Sequence, residues 1–196
     1  MARDLPDACL PGWRVVPLAL DDTPAMQRFF DANPAYFLAV QGEPAGTDCA
    51  REELLEEVPA GLSHTRLYWM GWFDAAGDMA AVASVVSDLC APQVWHIGLF
   101  IVATARHGSG DAQALHAGIE SWARSHGACW MRLGVVQGNT RAERFWASRG
   151  YREVRTRDGI PAGRRTNTVR VMIKPLAGGT PGEYLAMVSR DRPGTP

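Results

Sequence analysis

The sequence predicts a mixed α/β domain, and three observations predict it. Short β-rich runs pair as one hairpin in the first half of the chain and another near its end. Between them lies a strand–helix–strand–helix unit. The length of 196 residues fits one domain, since about 150 residues make one, and it allows roughly 70% of the unfolded surface to be buried. This order is neither doubly wound throughout nor that of a barrel.

Residues 13–18 read as the first strand. Asp22 ahead of Pro24 is a helix-start signal, and Met26, Phe29 and Phe30 continue at helical spacing. Asn33 and Pro34 break that helix, and residues 35–40 form a short second one. After a loop from Gly42 to Gly46, Thr47 or Asp48 opens an acidic helix through Glu57, ended by Pro59 and Gly61. Residues 67–73 are rich in β-formers, 75–78 make a turn, and 80–86 are the hairpin partner. Residues 94–102 are almost continuously apolar, which predicts a strand buried on both faces.

Gly108 and Gly110 lead into a helix whose Ala112, Leu115, Ile119 and Trp122 recur at steps of three and four. Gly127 ends it, and residues 129–136 form the next strand. Asn139 caps a further helix with Ala142, Phe145 and Trp146 on one face, and Gly150 marks its exit. Residues 151–155 and 168–173 make a last strand pair, joined by a basic, Gly- and Pro-punctuated connection over 158–165. From Ala177 the chain is Gly- and Pro-rich around one apolar patch, 184–188. That segment is either disordered or a short docking helix. The expected organisation is one domain over 1–176 and a tail over 177–196.

With 46% apolar and 21% charged residues, the composition excludes a disordered chain, a collagen and a coiled coil. No apolar run approaches the roughly 18 residues of a transmembrane helix. The acidic N-terminus lacks the apolar stretch of a signal peptide, so a cytoplasmic protein is expected. Cys9, Cys49, Cys90 and Cys129 form no CxxC, and the five histidines form no HExxH. Neither a disulfide framework nor a protein-ligated metal is expected. The net charge of −1 hides an asymmetry. Residues 1–60 hold 11 acids and four arginines, while residues 101–175 hold 12 arginines and one lysine against five acids. The halves either meet different partners or neutralise each other.

The stretch from Val102 to Ala112 carries the first chemical signal. A buried strand runs into His107, Gly108, Ser109, Gly110 and Asp111 at a helix start. Glycines let the backbone turn sharply and approach a ligand. A helix start offers unpaired N–H groups and partial positive charge, which suits an anion. No Gly-Lys-Ser/Thr follows, and the GxGxxG spacing is absent. Taken alone, the stretch also fits a plain tight turn. One strand and one helix later come Asn139, Ala142, Phe145, Trp146, Gly150 and Tyr151, in the pattern Asn-x-x-Ala-x-x-Phe-Trp-x-x-x-Gly-Tyr. With both motifs in this order and at this spacing, the sequence resembles the GCN5-related N-acetyltransferase (GNAT) family over about 94–157.

The resemblance implies the acyl-CoA N-acyltransferase fold: a mixed, mainly antiparallel, partly splayed sheet flanked by helices, with acetyl-CoA in the cleft. The pantetheine is expected along the backbone of Phe100, Ile101 and Val102, like an added strand. The pyrophosphate is expected on N–H groups from His107, Gly108, Ser109, Gly110 and Asp111 to Ala112. Asn139, Ala142, Phe145 and Trp146 are expected beside the pantetheine and thiol. A primary amine, on a small molecule or a peptide, then attacks the thioester directly. A backbone N–H of residues 99–102 stabilises the oxyanion. Three positions depart from the family pattern. His107 stands for Gln or Arg, and Thr104 for a proline. Trp146 stands for a tyrosine that protonates the leaving thiolate, which an indole N–H cannot do.

His96, on the cleft strand, and Asp88, at the end of the preceding one, are the candidate general bases. His116 reads as structural, and Tyr68, Trp69, Trp72 and Phe73 as core and sheet face. Glu52, Glu53, Glu56 and Glu57 on the acidic helix can attract a cationic amine acceptor. The basic half fits CoA phosphates, and no nucleic-acid module is recognisable. Neither nucleic acid nor membrane is expected as a partner, and the resemblance allows a homodimer. Two alternatives stay open: a catalytically silent acyl-CoA-binding or sensing domain, and a protein-modifying acetyltransferase.

Overall fold

The computed structural model describes residues 5–195. In chain order its elements are β1 (Arg14–Pro17), α1 (Thr23–Ala32), α2 (Pro34–Val40), α3 (Cys49–Leu55), β2 (Arg66–Phe73), β3 (Met79–Ser87), β4 (Val94–Val102), α4 (Asp111–Ser125), β5 (Trp130–Val136), α5 (Thr140–Ser148), β6 (Arg152–Ala162), β7 (Arg165–Pro175) and α6 (Pro181–Met187). The strands form one seven-stranded sheet in the order β1-β2-β3-β4-β5-β7-β6. Only the β4–β5 pair is parallel. A parallel pair needs a crossover, and α4 supplies it. Among the described residues no helix is long and apolar enough to cross a membrane.

The sheet opens in the middle. β4 and β5 pair only where Val94–Ile97 meet Trp130–Leu133. Beyond Ile97, β4 stays with β3 and β5 stays with β7. A bulge accompanies the parting. Ser84 faces Leu99 and Val85 faces Ile97, so Gly98 has no counterpart. A Cβ at Gly98 would stand 2.8 Å from the Ser84 hydroxyl, closer than side chains pack. The extra residue also reverses which face each side chain takes. Trp95 and Ile97 pack with Leu115, Ile119 and Trp122 of α4. Leu99 and Ile101 pack with Met26, Phe30, Phe37 and Ala50 on the α1–α3 face.

Three expectations need correction. β4 is not buried on both faces throughout: His96 and Phe100 are half-buried and Gly98 is exposed, because the opened sheet leaves them uncovered. The acidic helix stops at Leu55, and Glu56 is extended. Acids oppose the dipole at a helix C-terminus, and a residue before proline, here Val58, avoids the helical region. The connection over 158–165 is mostly strand. β6 and β7 continue to a tight turn at Gly163, whose φ is +53°. Register shifts at Glu153/Arg155 and Arg157/Ile160 interrupt the pairing. The sheet-edge position of β6 lets it carry Pro161.

Of the two readings of the C-terminal segment, the docking helix is the one observed. Thr180 and Glu183 form a reciprocal capping box at the start of α6. Tyr184 and Val188 bury against Trp130 and Ile173. A short 3-10 turn, Ser189–Asp191, follows. Asp191 is fully buried. It accepts from Arg132 Nε at 2.7 Å, Arg132 Nη2 at 2.9 Å and the Tyr184 hydroxyl at 2.6 Å.

Candidate functional site

Where β4 leaves β5, the β4 edge from Gly98 to Val102 has no strand partner on that side. Phe100 lies there, with its ring stacked 6.2 Å from Phe145 and tilted 5.8 Å from Trp146. These rings form one wall of a cleft of about 250 Å³. The cleft brings together Phe100, Ile101, Val102, His107, Gly108, Ala112, Asn139, Ala142, Phe145 and Trp146. Ser109, Gly110 and Asp111 follow in the turn but do not line it. Asn139 caps α5 by accepting from the Ala142 N–H at 3.3 Å. His116 is buried behind the wall, 5.2 Å from the Trp146 ring and 3.1 Å from the Tyr151 hydroxyl. Burial, then Lys174 and Arg149, push its pKa down to about 3, so it is a neutral packing residue.

The turn before α4 is built for an anion. Gly108 and Gly110 take left-handed conformations, with φ of +89° and +94°. The N–H groups of His107, Ser109 and Asp111 are engaged within the turn, by Thr104 O, Arg106 O and Ser109 Oγ. Those of Gly108, Gly110 and Ala112 have no acceptor among the described residues. Alternate N–H groups are therefore free at a helix N-terminus. Arg106 is not available to a ligand: it pairs with Asp74 at 2.7 Å and Asp111 at 3.4 Å, and stacks on Trp13. The cation that lines the cleft is Arg141, which has no ion-pair partner among the described residues. Sequence reasoning did not single it out. Its signal is a basic side chain in the first turn of a helix, where the dipole disfavours one.

His107 donates from Nε2 to the Val102 carbonyl at 3.0 Å, and its buried Nδ1 has no partner. Burial, then Arg141, hold its pKa below the usual value. The ring is neutral and offers a lone pair rather than a charge. His107→Ala should therefore weaken acetyl-CoA binding by less than about tenfold, the worth of one neutral hydrogen bond. Calorimetric titration checks this, and a loss beyond about 100-fold would contradict a neutral ring.

A model of the acetyltransferase (GNAT) family matches residues 14–151. The chain belongs to the GNAT acetyltransferase family. Solved structures share its fold. A GCN5-related N-acetyltransferase from Kribbella flavida is 25% identical, over 84% of this chain and 98% of that one, with a TM-score of 0.60. An acetyltransferase from Thermus thermophilus is 19% identical, over 83% and 96%, with a TM-score of 0.63. The spermidine N-acetyltransferase of Vibrio cholerae, solved with CoA and spermine, is 14% identical, over 86% and 98%, with a TM-score of 0.64. No curated protein matches the chain in sequence.

This GNAT chain has a second cleft, of about 350 Å³, opening at Ser84, His96 and Gly98. Glu53, on α3, and Glu56 and Glu57, just after it, line it together with Arg132 of β5, Arg157 of β6 and Arg190 of the C-terminal segment. His96 accepts at Nδ1 from Arg132 Nη1 at 3.2 Å. Burial, then the Arg132 charge, push its pKa down to about 3. Its one basic lone pair is thus engaged, and Nε2 carries the proton. Asp88 lines neither cleft. With φ of +55°, it accepts from the Gln93 N–H at 2.6 Å and closes the β3–β4 turn.

Glu53 is the titratable group that sequence reasoning placed only as an attractor of cations. Burial, then Glu56 and Glu52, push its carboxyl up to about 7. Tyr36 of α2 lines the first cleft. Burial, then the charge of Glu53, raise its phenol, so Tyr36 and Glu53 sit where the two clefts approach. The aromatic expectation holds for Tyr68, stacked 5.9 Å from Trp95, and for fully buried Trp72. Trp69 differs: it lines the second cleft, and its buried indole N–H has no acceptor among the described residues.

Proposed function

We propose that this GNAT enzyme moves an acetyl group from acetyl-CoA to a primary amine, with acetyl-CoA in the first cleft and the amine in the second. The observation that carries this reading is the parting of β4 and β5 at Gly98, beyond which the β4 edge has no strand partner on that side. The residues fit the cosubstrate. Free N–H groups at Gly108, Gly110 and Ala112, with Arg141, suit the pyrophosphate. The unpaired β4 edge and the Phe100, Phe145 and Trp146 wall suit the pantetheine arm. The spermidine N-acetyltransferase that shares the fold was solved with CoA bound.

Acetyl-CoA supplies an acetyl group activated as a thioester. Glu53 takes the proton that the amine sheds as the C–N bond forms and the C–S bond breaks. His96, whose Nδ1 is engaged by Arg132, instead helps to shape the acceptor cleft. Trp146 has no proton to give, and a thiol of pKa about 8.5 leaves readily as thiolate near neutral pH. Acceptor-dependent release of free CoA thiol tests the reading. Binding of acetyl-CoA without such release, across a broad amine panel, would replace it with a silent acyl-CoA-binding domain.

The proton acceptor sets a pH dependence. Only the ionised form of Glu53 works as a base, so kcat/KM should fall as pH drops below about 7. The groups facing it are Glu52, Glu56, Tyr36 and Cys49. Glu53→Gln should cost about 10²- to 10⁴-fold in rate and remove that limb, leaving only the amine's own titration at higher pH. A pH–rate profile unchanged by the substitution would take this role from Glu53.

A further inference from the structure

We propose that the acceptor is a small amine that also carries an anionic group, a carboxylate or phosphonate, and that the C-terminal segment completes the anion end of its site. The inference rests on the second cleft being the acceptor site. That cleft is bipolar: Glu53, Glu56 and Glu57 meet Arg132, Arg157 and Arg190. A polycation would be drawn by the carboxylates and opposed by the guanidiniums. A molecule with an ammonium at one end and an anion at the other satisfies both sets.

The guanidiniums are not all neutralised from within. Asp191 is the carboxylate among them, and Arg132 takes both its oxygens. Arg157 reaches Asp191 only at 3.4 Å, and its buried Nε has no partner. The Arg190 side chain has no ion-pair partner among the described residues, although its carbonyl accepts from Arg157. Among the described residues Asp191 alone lies within ion-pair distance of these guanidiniums, so the arginine end of the cleft keeps positive charge that an anion would satisfy. CoA phosphates do not answer it. The cluster opens with Ser84 and His96, whereas Gly108 and Arg141 line the other cleft.

Arg190 and Asp191 reach this place because α6 docks. Tyr184 anchors the helix and donates to Asp191, and Asp191 sets the Arg132 guanidinium, which in turn fixes the His96 ring. Arg157, Arg190 and Asp191 all lie beyond residue 151, where the match to the family ends. Arg132, within the matched residues, is the third member of the anion end. A volume of about 350 Å³ suits a molecule of amino-acid size.

The test is acceptor-dependent thiol release by the full chain with matched amines. Each L-amino acid is paired with its decarboxylated amine: phenylalanine with phenethylamine, methionine with 3-(methylthio)propylamine. A third pair is 2-aminoethylphosphonate with ethylamine, and spermidine and a short C-terminally amidated peptide with a free N-terminus and no acidic side chain complete the set. The expected result is a kcat/KM at least about tenfold higher for the anionic member of a pair. The pair with the larger ratio tells carboxylate from phosphonate. Arg190→Ala should collapse that ratio by about 10- to 100-fold, the worth of a charge-assisted contact, and Arg190→Lys should retain part of it. Arg28→Ala, which removes an exposed arginine outside the cleft lining, should leave the ratio as it is. Turnover of spermidine, the peptide or the decarboxylated amines equal to or above that of the anionic ones would overturn this inference and leave the acetyltransferase reading standing. So would an unchanged ratio in Arg190→Ala. Thiol release with no amine at all, despite acetyl-CoA binding, would overturn both.

Discussion

A Gly108→Glu variant should fold and fail to bind acetyl-CoA. Gly108 lines the first cleft at the turn before α4. A Cβ built there meets no atom within 4 Å, so the protein has room for a side chain. The left-handed φ of +89° adds strain of about 1–2 kcal/mol for any residue but glycine. The carboxylate adds the larger effect: a like charge set against a phosphate costs several kcal/mol, so binding should fall by more than about 100-fold. Gly108→Ala shares the backbone strain without the charge and should bind within about tenfold of the wild type. Calorimetric titration of both variants separates the two causes. Wild-type affinity in Gly108→Glu would remove the first cleft as the cosubstrate site.

Asp191→Ala should lower stability by about 3–5 kcal/mol, because it leaves the buried Arg132 guanidinium without its counter-ion. For a chain of this length that corresponds to roughly 10 °C in melting temperature. Arg132 is 8% exposed and Asp191 is fully buried, so water does not replace the lost partner. The double variant Arg132→Met, Asp191→Leu should recover much of the loss, since apolar pairs of similar volume replace buried ion pairs at little cost. Thermal unfolding of the single and double variants reads this directly, and a single variant as stable as the wild type would contradict it. The same carboxylate gives an acid dependence. Burial raises its pKa, but hydrogen bonds from Arg132, the Arg132 charge and Tyr184 bring it below the usual carboxylate value. A depressed acid stabilises the fold above its unfolded pKa of about 3.9. That contribution is lost as pH falls through the lower, folded value. Docking of α6 is thus secure at neutral pH and weakens in strong acid.

Local chemistry is legible in the sequence, and long-range assembly is not. Gly108 and Gly110 need left-handed backbone at a helix start, and Asn139 caps α5 with its own side chain. Both signals sit within a few residues of their effect, so the glycine turn before α4 and the motif around Trp146 can be read directly. In sequence Gly98 reads as part of a continuous strand; a lone glycine there is the local mark of a bulge, but only the partner strand shows that pairing slips at this point. Gly159 and Pro161 signal a loop over 158–165, yet the edge position of β6 tolerates both. The second cleft draws Glu53, His96, Arg132, Arg157 and Arg190 from elements far apart in the chain. No spacing rule links them. The charge asymmetry is their one trace in the sequence, and it does not say that acids and arginines face the same cleft.

We propose that acetyl-CoA sits in the cleft between the parted strands with its pyrophosphate on the Gly108–Ala112 backbone. Calorimetric titration of the wild-type chain with acetyl-CoA, beside S-acetylpantetheine that lacks the phosphates, tests it most directly. Acetyl-CoA should bind at roughly micromolar concentration, within the usual enzyme range, and the fragment should lose most of that affinity. No binding of acetyl-CoA, or equal affinity for the two, would contradict it.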